Sequence, residues 1–182
     1  MLIYSTLQQT LWWYFLVATA SLLGSKFTDR KYYTEITSNI VFSPPPFLFG
    51  IVWPVLYALQ AQASFWVQQE HGGWSSTLSI YISFLIVSII WNFTFFYLKN
   101  LTVALLFIVA SFILFIISNI QYFGIQALSG WFMVPTSIWL LFATALMGII
   151  WIRNYNTDKP FTNQKSNRIQ NLYGQKPGVD WD

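Results

Sequence analysis

Long apolar stretches occupy most of the chain up to about residue 152, and short polar segments separate them. Five of these stretches contain no charged residue, and each is close to the roughly 20 apolar residues that cross a bilayer as one helix. They are residues 7–25, 47–67, 78–98, 101–122 and 131–152. None alternates as the strands of a membrane barrel do, so we predict an all-α, integral membrane bundle of five transmembrane helices over residues 1–154.

The predicted connections between these helices are residues 26–46, 68–77, 99–100 and 123–130. The first connection ends in three prolines, and Pro46 can take the first helical position because its missing N–H is not needed there. Pro54 lies inside the second helix, where it cannot donate to the carbonyl of Gly50. We therefore expect a kink or a freed carbonyl beside Trp53.

The composition agrees with a membrane location, since only 8% of residues are charged, against about 25% in soluble domains. Between Glu35 and Arg153 the charged residues are Glu70 and Lys99, with the single histidine, His71, in the same loop as Glu70. The spans thus carry no ionisable group of the kind that marks ion-coupled transporters or acid–base catalysis. We predict no catalytic residue and no metal site, and the chain contains no cysteine.

We interpret His71 as a solvated loop residue, with axial ligation of haem or chlorophyll as the alternative. It follows the second span directly, in the connection that contains Gly72 and Gly73.

All nine basic residues fall on one predicted face of the membrane. They are Lys26, Arg30, Lys31, Lys99, Arg153, Lys159, Lys165, Arg168 and Lys176. The positive-inside rule places that face, and the C-terminus, on the cytoplasmic side and the N-terminus outside. Because orientation accounts for the net charge of +3, we predict no nucleic-acid partner. The polar tail, residues 155–182, is predicted to form no core and to be disordered or ordered by a partner.

Aromatic side chains are abundant, with 10 Trp, 10 Tyr and 17 Phe. The tryptophans near span ends are predicted to form an interfacial belt, namely Trp12, Trp13, Trp66, Trp74 and Trp151. Trp53, Trp91 and Trp139 lie six or more residues inside their spans. Helical spacing aligns each with other aromatic or polar residues, which predicts either a shared pocket or core packing. The predicted ligand-binding residues are Trp53, Tyr57, Gln60, Trp91, Phe95, Pro135 and Trp139.

The segment FLFGIVWPVLYAL, residues 47–59, resembles the second-helix signature of the tryptophan-rich sensory protein and translocator protein family, also called the peripheral-type benzodiazepine receptor family. The residues that match it are Pro44, Pro45, Phe49, Gly50, Trp53, Leu56 and Tyr57. Matches continue in the third helix at Trp91, Phe95, Phe96, Leu98 and Asn100, and in the fifth at Val134, Pro135, Trp139, Phe142, Ala143, Thr144, Leu146, Trp151 and Asn154.

The resemblance implies a five-helix bundle, often a homodimer, whose cavity binds porphyrins such as haem and protoporphyrin, and in some members sterols or drug-like ligands. Trp53 and Trp139 stand at the positions of the family's cavity tryptophans. The chain departs from the family pattern at Phe42, Ser88, Phe107, Thr136, Met147 and Gly148. These departures remove polar groups, which predicts a more apolar pocket with a changed or lost ligand.

Two hypotheses of different class follow. The leading one is a non-enzymatic membrane protein that binds a tetrapyrrole-like or other apolar ligand in its sensing, transport or quenching. The alternative is a structural or assembly subunit of a larger membrane complex, such as a pigment-bearing photosynthetic one. Light-dependent porphyrin breakdown by indole oxidation at Trp53 and Trp139 is a third hypothesis. The predicted partners are the lipid bilayer, an apolar small molecule, and a second copy or larger complex.

Overall fold

The computed structural model describes residues 2–154, with side chains from Thr6 onward, and the predicted tail at residues 155–182 lies outside them. The described part consists of helices and short connections, with no strand. Its helices are α1 (Leu2–Ser25), α2 (Arg30–Thr37), α3 (Pro46–Glu70), α4 (Ser76–Asn92), α5 (Leu101–Ile125) and α6 (Ala127–Asn154). The backbone after α4 continues as a π-helical turn, Phe93–Tyr97.

Four of these helical segments are long and apolar enough to cross a membrane, namely Pro46–Glu70, Ser76–Tyr97, Leu101–Ile125 and Ala127–Asn154. Their exposed large side chains are apolar, as lipid requires, and Leu106 and Ile120 are each 67% exposed. Helix α1 has 24 residues but is not among these four spans. The protein is therefore a multi-pass helical membrane protein with four clear spans.

Side chains that accept from free backbone N–H groups fix where three helices begin. Asp29 caps α2 by accepting from Tyr32 N at 2.9 Å, Ser75 caps α4, and Asn100 caps α5 by accepting from Val103 N at 3.1 Å. Pro46 occupies the first position of α3, as predicted. The turn before α5 is tight because Lys99 adopts a positive φ of 52°.

Two connections differ from the prediction. The first contains α2, a short helix whose polar sequence carries no membrane-span signal. The last is a single extended residue, Gln126, rather than residues 123–130. Its N–H donates to Tyr122 O at 2.9 Å, and its side chain accepts from Ser129 Oγ at 2.6 Å. The first bond satisfies one carbonyl at the end of α5, and the second joins two side chains in the connection, so α5 and α6 follow each other with one residue between them.

Helix α5 packs against α4 and α6, α3 packs against α6, and α1 packs against α3 and α4. One core cluster lies between α1, α3, α4, α5 and α6 and centres on Tyr81, Phe84 and Phe115. A second cluster lies at the other end, where Tyr33 of α2 meets residues of α5 and α6 such as Ile108 and Met147. The two clusters leave room for a cavity beside the second one.

Trp13 is a core residue, so its assignment to the interfacial belt was wrong. It is 0% exposed and donates its indole N–H to Gln68 Oε1 at 2.6 Å. Its ring lies 6.1 Å from that of Trp74, with the two planes 9° apart. The hydrogen bond gives the indole a partner inside the bundle, which removes the need for headgroup contact.

The end of the bundle that contains the first connection also gathers basic residues. Lys99 forms an ion pair with Asp29 at 3.3 Å, and Arg153 Nη1 donates to Asn39 O at 3.3 Å. The first connection, the turn before α5 and the end of α6 therefore lie together. Which side of the membrane this end faces stays a prediction.

Candidate ligand-binding cavity

Three adjoining chambers form a cavity in the half of the bundle that α2 covers. All three are lined by Phe49 and Trp53 of α3 and by Asn92 of α4. We name them the aromatic, lateral and inner chambers. The three chambers therefore share part of their walls.

The aromatic chamber lies under α2 and has a volume of about 100 Å³. Its lining is Thr28, Arg30, Tyr33, Pro46, Phe49, Trp53, Trp91, Asn92, Phe95, Phe96, Ala143, Leu146, Met147 and Ile150. The ring of Trp91 stacks on that of Phe95 at 5.7 Å, and the ring of Phe49 meets that of Tyr33 edge-on at 5.3 Å. The chamber thus presents ring faces and edges beside the aliphatic side chains of Leu146, Met147 and Ile150.

The lateral chamber lies between α1 and α3 and has a volume of about 420 Å³, within the roughly 300–1,000 Å³ of small-molecule sites. Its α1 side is small and polar, with Ser21, Gly24 and Ser25, while its α3 side carries Trp53 and Tyr57. A methyl group added at Gly24 would come within 3.3 Å of the Asn92 side chain. The glycine therefore lets α1 approach α4 closely at the chamber wall.

The inner chamber is small, about 20 Å³, and extends toward the middle of the bundle. Trp139 of α6 lines it together with Ser88 of α4 and Ser111 of α5. The Ser88 hydroxyl donates to that of Ser111 at 3.5 Å. The ring of Trp139 lies 5.7 Å from that of Phe49, so α3 and α6 meet through aromatic edges at this point.

Two local features of the backbone shape the cavity wall. The π-helical turn follows Trp91 and carries Phe95 and Phe96, so all three aromatic rings reach the aromatic chamber. Single π-helical turns in α-helices occur frequently at functional sites. Pro54 and Gly50 both line the lateral chamber, and Pro54 has no N–H to give to the Gly50 carbonyl.

Two indole N–H groups next to the inner chamber lack a partner. Trp91 Nε1 and Trp139 Nε1 are buried and make no hydrogen bond with any described residue. A buried unpaired donor costs about 1–3 kcal/mol. A ligand that offers a hydrogen-bond acceptor in this chamber would recover that cost.

Among the described residues, Arg30 is the one charged side chain that lines the chambers. The carboxylate of the neighbouring Asp29 has other partners, because it accepts from Tyr32 N and pairs with Lys99. The Tyr32 N–H and then Lys99 lower the pKa of Asp29. Lys99 in turn lies 4.7 Å above the centre of the Tyr32 ring.

Tyr33 lines the aromatic chamber from α2 and also bonds the end of the first connection. Its hydroxyl donates to Pro44 O at 3.0 Å, and burial raises its pKa to about 12. The group therefore stays neutral and remains a donor over the physiological range.

Five of the seven predicted ligand-binding residues line the chambers, namely Trp53, Tyr57, Trp91, Phe95 and Trp139. Gln60 and Pro135 do not. Gln60 is buried between helices, where its amide bonds Thr136 and Tyr81, and Pro135 is exposed on the outer face of α6. His71 is exposed at the end of α3, away from the chamber linings. Ligand binding by any of these residues stays a prediction.

Sequence reasoning did not select several residues that line the cavity. Phe49 precedes Trp53 by one helical turn, so helical spacing could have added it. Asn92 follows Trp91 directly and lies off the aromatic stripe, and Arg30 and Tyr33 belong to the unpredicted helix α2. Two departures from the family pattern, Ser88 and Met147, also line the chambers.

The architecture is that of a multi-pass helical membrane protein with an aromatic cavity at one end of its bundle. The chain belongs to the TspO/MBR family, whose model matches residues 13–152. This confirms the family that the residues of α3, α4 and α6 predict.

Two relatives illustrate how far the similarity extends. The chain is 31% identical over 142 residues to the tryptophan-rich protein TspO of Archaeoglobus fulgidus, covering 76% of this chain and 92% of that protein. It is 28% identical over 105 residues to a tryptophan-rich sensory protein of Cereibacter sphaeroides, covering 58% of this chain and 66% of that protein.

Proposed function

We propose that the cavity binds a flat, largely apolar ligand of the tetrapyrrole class, in its sensing, transport or quenching. The observation that carries the proposal is the convergence of Trp53, Trp91 and Trp139 from three helices on adjoining chambers. Aromatic rings favour offset-stacked or edge-on contact with other flat rings, at about 0.5–1.5 kcal/mol beyond the area they bury.

The unpaired indole donors narrow the class of ligand. A purely hydrocarbon ligand would leave Trp91 Nε1 and Trp139 Nε1 without a partner, whereas a heteroaromatic ligand with nitrogen or oxygen acceptors would pair them. The residues that would hold a porphyrin are Phe49, Trp53 and Trp91 through their rings and Trp139 through its N–H. Such a macrocycle supplies the light absorption and metal chemistry, and the protein supplies orientation and exclusion of water.

Porphyrin titration followed by tryptophan fluorescence tests the proposal in detergent-solubilised protein. Trp53→Phe and Trp139→Phe should each weaken binding about tenfold, since each removes part of an aromatic contact while keeping most of the packing. Trp131→Phe is the matched control, because Trp131 is 63% exposed on α6 and lines none of the chambers. Its affinity should equal that of the wild type.

Absence of saturable quenching in the folded wild-type protein would refute tetrapyrrole binding. The alternative, a structural subunit of a larger membrane complex, would then be favoured and would be tested by stoichiometric co-purification with other membrane proteins.

We further propose that α1 is a fifth span, with the N-terminus outside and the basic end of the bundle in the cytoplasm. Helix α1 packs along α3 and α4 and points Leu11, Phe15 and Leu22 outward, each more than half exposed. An impermeant thiol reagent should label an N-terminal cysteine tag and Gly73→Cys from one side and Ser38→Cys from the other. Labelling of the tag and Ser38→Cys from the same side would exclude a crossing by α1.

A further inference from the structure

We propose that Arg30 recognises an anionic group at the edge of the cavity's ligand, so that the cavity selects flat apolar acids over their neutral counterparts. This inference rests on the proposed function and adds a specificity-determining residue to it. It starts from the position of Arg30, which lines both the aromatic and the lateral chamber.

The guanidinium of Arg30 is not neutralised within the described part of the chain. The described residues form one ion pair, and it joins Asp29 to Lys99. Asp29, the nearest acidic residue in sequence, also caps α2 through Tyr32 N. A cation thus stands at the rim of an apolar cavity while the adjacent carboxylate is engaged elsewhere.

Guanidinium chemistry suits this position. Its planar fork of N–H donors matches the two oxygens of a carboxylate, and it is more weakly hydrated than an ammonium group. Contact with an apolar cavity lowers the local dielectric, which strengthens a pair formed there relative to one in bulk water. A ligand with an acidic edge would therefore gain more at Arg30 than at an ordinary surface arginine.

The lateral chamber gives such a ligand a defined orientation. Ser21, Ser25 and Thr28 line this chamber together with Arg30, and the rings of Trp53 and Tyr57 line it from α3. A flat ligand would lay its apolar body against the rings and its polar edge along the hydroxyl groups. Its acid group would then reach the guanidinium at the rim.

The experiment compares a dicarboxylic porphyrin with its dimethyl ester in wild-type protein and in Arg30→Gln, in non-ionic detergent without phospholipid. We expect Arg30→Gln to weaken binding of the acid about three- to tenfold, as for a partly exposed charge-assisted pair, and to leave binding of the ester unchanged. Lys31→Gln is the matched control, because it removes the same charge from the next residue of α2, which lines no chamber. It should alter neither affinity.

Four results would overturn the inference. Equal losses for acid and ester would show that Arg30 acts through packing, and equal losses in Lys31→Gln would show a diffuse surface potential. Loss of the acid preference on adding an anionic phospholipid would assign the guanidinium to a lipid headgroup. If neither porphyrin binds the wild-type protein, the proposed function itself fails, whereas binding of both without dependence on Arg30 removes this inference alone.

Discussion

Replacement of Gln60 by methionine should destabilise the bundle while leaving the cavity intact. Gln60, Tyr81 and Thr136 are each 0% exposed and come from α3, α4 and α6. Gln60 Nε2 donates to Thr136 Oγ1 at 3.0 Å, and Tyr81 OH donates to Gln60 Oε1 at 3.0 Å. One amide therefore links three helices, and methionine keeps its approximate length and volume without either bond.

The size of the loss in stability depends on whether Thr136 and Tyr81 find other hydrogen-bond partners in the Gln60→Met variant. Interhelical hydrogen bonds in membrane proteins average about 0.6 kcal/mol and reach about 1.7. The freed Thr136 hydroxyl can bond the carbonyl one turn earlier in its own helix, whereas the buried Tyr81 hydroxyl loses the amide oxygen and keeps the Ser64 hydroxyl as its side-chain neighbour. We therefore expect Gln60→Met to reduce the free energy of unfolding by about 1–3 kcal/mol.

Unfolding in mixed micelles with increasing denaturing detergent, followed by circular dichroism, measures this free energy. The control is Gln62→Met on the same helix, whose side chain accepts from Tyr14 OH at 3.3 Å at an exposed position and should matter little. Gln60→Met combined with Tyr81→Phe should lose about 0.5–1 kcal/mol less than the sum of the single changes, because both changes remove the same hydrogen bond. Strict additivity, or a Gln60→Met effect no larger than that of the control, would refute the reasoning.

Three further predictions concern the rest of the fold. Gly130→Ala should destabilise the bundle by about 1–2 kcal/mol relative to Gly148→Ala, because its methyl group would overlap the Phe123 ring whereas Gly148 has open space; equal unfolding curves for the two variants would contradict this. Lys99→Gln should raise the pKa of Asp29 part of the way back to its ordinary 3.8, because the Tyr32 N–H remains, and carboxyl NMR titration measures the shift. Folding lowers the pKa of Asp29, so the ion pair between Asp29 and Lys99 should be fully formed at pH values above the ordinary pKa of Asp29. It should be lost as the pH falls through the lowered pKa of the folded protein, and a spin-label distance between the first connection and the turn before α5 would detect the loss.

The four clear spans could be predicted from the sequence because each is a long run of apolar residues, and lipid imposes that pattern locally. Helix α2 could not, since eight residues with charges at Arg30, Lys31 and Glu35 carry no such signal. The π-helical turn after Asn92 was equally hidden, because its residues are as apolar as the helix before it. Where membrane burial does not dictate the pattern, the fold depends on contacts between distant segments.

The residues that line the cavity were predictable only in part, because helical spacing does not fix how neighbouring helices rotate against each other. Helical spacing places Trp53 and Tyr57 on one face of α3, and both line the chambers. The same spacing groups Pro135 with Trp139, yet Pro135 is exposed and Trp139 lines the inner chamber. Periodicity gives the face of a helix but not how far the neighbouring helix rotates that face toward the cavity, which depends on interhelical packing.

Helical periodicity also predicted Gln60 to be a ligand-binding residue, although it does not line the chambers. A neutral amide among aromatic residues suggested a group that contacts ligand, but the structure gives both ends of the amide to other helices. Thr136, which departs from the family pattern, supplies one of those partners and so belongs to the same packing contact. The polar groups at the chambers include the unpaired indole N–H groups of Trp91 and Trp139 and the guanidinium of Arg30. Selectivity in this cavity should therefore depend on acceptors and acids carried by the ligand rather than on the buried amide.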